Sequence, residues 1–341
     1  MEGGERGSSR DGVLLRSYEP GDEHAIADLF ERCFGKPLSL EHWYWKYTKN
    51  PYGNHTILVA AKEGAIVAHY GGYPVYMHDG PDRKVRSLHI GDIMTDPQVR
   101  GLGIGHRSVI ARVTRAFYGR FCEGKVAFNF GAPAGRHLRL GRMVMRYEAA
   151  GPVLLWSREG TPAPGSNWLR ALQRVKWRGA AIEEADRIGV EEAELYDRVK
   201  GRLGISLSRD AAYLRWRYQF CPGKSYRFYR VAKKNVLILW AVVAKEKDQI
   251  LLGDVIVAPE NGSILALFAE EMARRWPGLP VRMWSPASPT WWTEMLSGAG
   301  FRSAPHPWGI SAGLTIFDEA GYSVGRMSRE WFYAMGDFDL F

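Results

Sequence analysis

The sequence predicts an α/β fold with mixed sheets, present twice along the chain. Three observations predict it. Apolar runs of strand length alternate with amphipathic runs of helical period. A set of residues in the first half recurs in the second, in the same order and at similar spacing. One strand leads directly into a glycine-rich turn and then a helix, between Leu88 and Phe117, as an anion cradle requires. With 341 residues, the chain can bury cores for two such units.

Taken in order, residues 13–19 read as a first strand. Gly21-Asp22 starts a helix whose Ile26, Leu29, Phe30 and Cys33 share one face. Ser39 is the expected N-cap of a second helix containing Trp43, Trp45 and Tyr47. Asn50-Pro51-Tyr52-Gly53 is a turn. Strands are expected from Thr56 to Ala61 and from Ala65 to Val75, joined at Glu63-Gly64, and again from Leu88 to Met94. A helix follows with Val109, Ile110, Val113 and Phe117 on one face. Next come a strand over Lys125–Phe130, a short helix from Arg136 ended by Gly141, and strands over Met143–Tyr147 and Val153–Trp156.

The repeat is specific. Trp45-Lys46-Tyr47 with Pro51 matches Trp216-Arg217-Tyr218 with Pro222, at one constant interval. Asp28–Arg32 matches Glu194–Arg198, and Ile90-Gly91-Asp92-Ile93 matches Leu252-Gly253-Asp254-Val255, each followed by a proline. These matches imply a tail over 1–12, a first domain over 13–156, a linker over 157–181, and a second domain with its C-terminal tail over 182–341. Within the linker, 168–179 reads as a short basic amphipathic helix that packs the domains together, with a membrane-surface role as the alternative.

Composition narrows the function classes. Hydrophobic residues make up 46% and charged residues 24%, as in ordinary globular proteins. The formal charge of +9 suits anionic ligands, but the basic residues are scattered, which argues against nucleic acid. Cys33, Cys122 and Cys221 are far apart, so neither a disulfide framework nor a metal site is expected. The first twelve residues lack the apolar stretch of a signal peptide, and the longest apolar run, Val236–Ala244, is too short to span a bilayer. The expected location is cytoplasmic, without stable membrane insertion.

The turn itself carries the chemistry. No Gly-Lys-Ser/Thr closes it, and His106 stands where a dinucleotide fingerprint needs its third glycine. What is present is Gln98-Val99-Arg100-Gly101-Leu102-Gly103-Ile104-Gly105, directly after Asp96-Pro97. This Gln-x-x-Gly-x-Gly resembles the acyl-coenzyme A loop of the GCN5-related N-acetyltransferases (GNAT). The second half has Glu260-Asn261-Gly262-Ser263-Ile264-Leu265 there, where Ile264 and Leu265 obstruct a pyrophosphate. The resemblance thus describes a tandem of two acyl-CoA N-acyltransferase folds with a degenerate C-terminal copy.

The resemblance implies acetyl-CoA, or another acyl-CoA, as co-substrate, with no metal. Ile93, Met94 and Thr95 would bond the pantetheine arm, while Gln98, Arg100, Gly101, Leu102, Gly103, Ile104 and Gly105 would form the pyrophosphate loop. The family often ends its next helix with Leu-Tyr-x-Lys-x-Gly-Phe, whose tyrosine protonates the departing thiolate. Aligned on Gly141, this chain has His137 at that tyrosine, and imidazole donates a proton near neutral pH. Asp92, a carboxylate interrupting an apolar strand, is the first candidate for the base that deprotonates the amine, with Asp254 at its equivalent place arguing for a structural role. His89 and the acidic tail Gly336–Phe341 are further candidates. The implied acceptor is a primary amine of a small molecule, such as an amino sugar or nucleotide-linked sugar, with aminoglycoside or peptide amines as alternatives. A homodimer is compatible with this reading. A non-catalytic acyl-CoA-binding or assembly module is the reading from a different class.

Overall fold

The fold is that of a computed structural model, which describes residues 12–160 and 179–341. Residues 1–11 of the expected N-terminal tail and 168–178 of the expected linker helix lie outside the described residues. The first half runs β1 (Val13–Ser17), α1 (Asp22–Phe34), α2 (Leu40–Tyr47), β2 (Ile57–Lys62), β3 (Ala65–Asp79), β4 (Arg83–Thr95), α3 (Val109–Phe117), β5 (Phe128–Gly131), α4 (Gly135–Val144), β6 (Glu148–Pro152) and β7 (Leu154–Arg158). Local chemistry sets these limits. Left-handed Gly21 and Gly35 flank α1, the Ser39 hydroxyl accepts the His42 amide at the start of α2, and Ser108 does the same for Ala111 in α3. Glu63 and Gly64 both have positive φ, as the β2–β3 hairpin turn demands.

The second half runs β8 (Ala180–Ala185), α5 (Glu191–Leu203), β9 (Ile205–Leu207), α6 (Ala211–Leu214), β10 (Arg227–Lys233), β11 (Val236–Lys245), β12 (Ile250–Val257), α7 (Gly262–Arg275), β13 (Val281–Ser285), α8 (Thr290–Gly298), β14 (Arg302–Pro305), β15 (Ser311–Ile316), α9 (Val324–Glu330) and β16 (Trp331–Phe332). Two mixed sheets result. The first is ordered β1-β2-β3-β4-β5-β15-β6, with β9 on the far end of β3 and β16 beside β9. The second is ordered β14-β7-β13-β12-β11-β10-β8.

The halves exchange strands. β7 lies between β13 and β14 in the second sheet, and β15 lies between β5 and β6 in the first. A boundary at 156 therefore falls inside a strand of the second sheet. Nor does a strand form over 143–147: α4 runs through Gly141 to Val144, and the strand begins at Glu148. Gly141 is needed for contact rather than for ending the helix, because a Cβ there would collide with the Tyr147 ring.

The matched tryptophans meet between the sheets. Trp45 and Trp216, 171 residues apart, stack at 4.8 Å and 14°, and each indole N–H donates to the other's carbonyl, at 2.7 and 2.9 Å. Both rings are buried in the main core. Trp45→Phe keeps an aromatic ring but leaves the Trp216 carbonyl without its donor. It is expected to cost about 1–2 kcal/mol in urea unfolding.

Candidate active site

The candidate site forms at the C-terminal end of β4. This strand pairs in parallel with β5 at Leu88–Asn129 and His89–Phe130. On its other side β4 is irregular: Gly91 pairs with Gly71 and Met94 with His69, so Asp92 and Ile93 form a bulge. Asp92 takes a left-handed φ of 54° inside the strand.

The turn after β4 is held from both ends. The Asp96 carboxylate accepts the Gln98 amide at 2.9 Å and the Arg32 Nε at 2.8 Å, and the Arg100 Nε donates back to the Thr95 carbonyl at 3.0 Å. Gly103 has φ 73°, and a Cβ there would run into the Arg107 carbonyl. Only glycine lets the loop fold back so closely before α3. The α3 N-terminus then adds its dipole to the exposed loop backbone.

A cavity of about 600 Å³ opens here between β4, the glycine turn and α4. Ile93, Met94, Thr95, Arg100, Gly101, Gly103, Ile104, Gly105 and His137 all line it. Gln98 and Leu102 are not among its lining residues: Gln98 is exposed on the turn, and Leu102 packs against the core under α3. Burial holds the His137 imidazole below its ordinary pKa. The wall also contains residues that sequence reasoning did not assign to the site, including Cys33 and Phe34 at the end of α1 and Leu140 and Met143 on α4. Phe34, Ile104, Leu140 and Met143 form an exposed apolar rim. Their signal was the break in an otherwise core-facing helical pattern, which does not identify a partner surface.

Asp92 does not line this cavity. Its Oδ2 accepts Lys46 Nζ at 2.8 Å and the Tyr47 hydroxyl at 2.7 Å, while its carbonyl faces His69 Nδ1 at 2.7 Å. Burial pushes the carboxyl up, yet the Lys46 ammonium together with the hydrogen bonds from Lys46 and Tyr47 holds the group below the usual carboxylate range. Lys46 Nζ also bonds Asp339 Oδ2 at 2.6 Å. His89 is buried, stacked on Tyr73 at 4.8 Å, and burial lowers its pKa to about 4. The tail is docked: Phe338 is fully buried, and Asp337 meets Arg209 at 3.1 Å.

The second half has a bulge at the matching place, between Val242 and Val243 opposite β12. Asp254 there accepts the Tyr218 hydroxyl at 3.1 Å and Arg209 Nε at 2.9 Å. Ile264 and Leu265 are buried in α7, so the chain after β12 enters a helix without a glycine loop. Among the described residues, no group of acidic, histidine and cysteine side chains is arranged to hold a metal, and no helix is long and apolar enough to cross a membrane.

An acetyltransferase (GNAT) domain family matches residues 15–139. No curated protein sequence is significantly similar to the chain. Among solved structures, the chain is similar to a GCN5-related N-acetyltransferase from Anabaena variabilis, with TM-score 0.64 and 15% identity over 89% of this chain and 72% of that one. A GCN5-related N-acetyltransferase from Kribbella flavida gives 0.61 and 14%, covering 90% and 72%. Eis1 from Mycobacterium abscessus gives 0.57 and 14%, covering 90% and 74%. Residues 15–139 thus match an acetyltransferase (GNAT) domain family, and the chain has the fold of the GCN5-related N-acetyltransferases.

Proposed function

We propose that the protein transfers an acetyl or other acyl group from coenzyme A to a primary amine of a small molecule, such as an amino sugar or nucleotide-linked sugar. The observation that carries this reading is the cavity built jointly by the β4 bulge, the glycine turn and His137. Acyl-CoA supplies a thioester. The chain's part is to hold its phosphates on the Gly101–Gly105 backbone, and its pantetheine along Ile93–Thr95 in the cavity between β4 and α4. The bulge aims strand amides at the thioester carbonyl, where negative charge develops as the amine attacks.

His137 is the group we assign to protonate the departing thiolate. Its imidazolium is the donating form. Because burial lowers the folded pKa below the ordinary imidazole value of 6.5, that form is lost as pH rises through a point below it. His137→Ala is expected to lower kcat by about 10²-fold, the lower end of what a general acid supplies, and to remove that limb of the pH profile. Unchanged kcat and limb would take the role from His137.

Asp92 is a poor proton acceptor in its present company, since Lys46 and Tyr47 already share its ionised oxygen. We assign it to shaping the strand. The second copy, lacking the glycine loop, is read as a degenerate domain that closes the acceptor side.

One feature favours a second reading, a module that binds acyl-CoA without turnover: α4 has His137 where family members often carry their acidic tyrosine. Measuring free-thiol release from acetyl-CoA across a panel of amines separates the two. Turnover with any amino sugar or nucleotide-sugar amine supports the transferase, whereas tight cofactor binding with no turnover on any amine favours the module.

A further inference from the structure

We propose that Lys46 is a positioning residue for acyl transfer. Its ammonium, bridged between Asp92 and Asp339, fixes the left-handed turn of β4 that presents the strand backbone to the thioester. The proposal rests on the reading of the adjoining cavity as the acyl-CoA site.

Four observations converge on Lys46. First, among the described residues with positive φ and a side chain, Asp92 alone lies inside a strand; His55, Glu63, Arg146, Lys234 and Asn235 fall in turns or connections. An aspartate in that conformation persists where its surroundings over-determine it. Second, the surroundings do so here from three sides: Lys46 and Tyr47 on the carboxylate, His69 on the carbonyl. Third, Lys46 is itself buried and anchored from behind, its Nζ 2.6 Å from Asp339 on the docked tail. Fourth, Gly91 makes room for this contact. A Cβ there would lie 2.6 Å from both Lys46 Nζ and Asp339 Oδ2, so a bare backbone next to the bulge is what admits the ion pair.

The second copy acts as an internal control. Asp254 keeps its tyrosine and its bulge, yet it is not among the left-handed residues, and its cation is Arg209 from another segment. The residue matching Lys46 is Arg217, which instead donates to the carbonyls of Gly336, Phe338 and Phe341. A carboxylate and a tyrosine are therefore common to both halves. The ammonium on a left-handed bulge occurs only in the half that carries the glycine loop. Burial of acids alone would call for a cation in both copies, but not for this conformation in one.

The test uses the full chain with Lys46→Met and Asp339→Asn, each checked by thermal unfolding. Binding of acetyl-CoA is measured by calorimetry, and the thioester carbonyl stretch of ¹³C-acetyl-CoA is read in the bound state. In the wild type, the bound carbonyl is expected to shift to lower frequency. Lys46→Met should bind acetyl-CoA within about threefold of wild type, which is less than 1 kcal/mol. It should nevertheless lose the shift and, with a working amine, drop kcat by about 10²-fold at little-changed KM, the size of effect expected for a lost oxyanion donor. Asp339→Asn, which keeps the Lys46–Asp92 contact, should give a smaller change in the same direction, and it carries the test if Lys46→Met does not fold. Wild-type shift and kcat in the folded variants, or affinity falling in step with kcat, would overturn the proposal. A wild type that binds acetyl-CoA with the shift but turns over no amine would sink the transferase reading, and loss of that shift in folded Lys46→Met would then support Lys46 as positioning the strand against the bound thioester. A wild type that does not bind acetyl-CoA would sink both.

Discussion

Arg209→Met is expected to destabilise the protein by about 3–5 kcal/mol, with the larger loss at pH 8 than at pH 5. Arg209 is fully buried, its guanidinium bonded to both Asp254 oxygens at 3.1 and 2.9 Å and to both Asp337 oxygens at 3.1 Å. Removing it leaves two carboxylates facing one another in the core. A loss of that size is a large part of the 5–15 kcal/mol that ordinarily holds a domain folded.

The pH dependence follows from Asp337. Burial, joined by repulsion from Asp254, pushes its pKa up to about 6 despite Arg209. A carboxyl with a raised folded pKa binds its proton more tightly in the native state. Its stabilising contribution is present below the ordinary value of 3.8 and is lost as pH rises through about 6. Without Arg209 the cost of ionising the pair rises, so urea midpoints of the variant should fall further behind wild type at pH 8. A loss independent of pH, or under 1 kcal/mol, would remove Arg209 from this role.

Gly103→Trp should weaken coenzyme A binding by about 10³-fold or more while leaving the fold intact. Position 103 combines a left-handed φ with a Cβ direction blocked by the Arg107 backbone, so a side chain there must open the turn. Opening it misaims loop amides, and two charge-assisted hydrogen bonds at about 1.5–3 kcal/mol each account for a loss of that size. Gly101, Gly103, Ile104 and Gly105 are exposed, so thermal unfolding should change little. Calorimetric titration with coenzyme A reads the affinity, and circular dichroism checks the fold.

Local chemistry explains what was legible in the sequence. The order of elements through β7, the Ser39 cap, the Glu63-Gly64 turn and the apolar face of α3 follow from residues close in the chain. The glycine turn was legible because only glycine tolerates φ 73° against a neighbouring carbonyl. Trp45 and Trp216 were legible as matched positions in the two halves, and their rings stack on one another. Strand exchange was not, since the pairing of β15 with β5 joins residues nearly two hundred positions apart and leaves no local pattern. The same holds for the Lys46–Asp339 bridge and for Arg209. Asp92 was visible as a carboxylate in an apolar strand. Its partners, which decide what that carboxylate can do, were not.

Both proposed roles depend on the Gly101–Gly105 turn and the cavity beside it holding coenzyme A. Calorimetric titration of the wild-type chain with coenzyme A tests this most directly. One coenzyme A is expected to bind per chain, displaced by acetyl-CoA and lost in Gly103→Trp. Absence of binding, or binding that Gly103→Trp leaves unchanged, would contradict it.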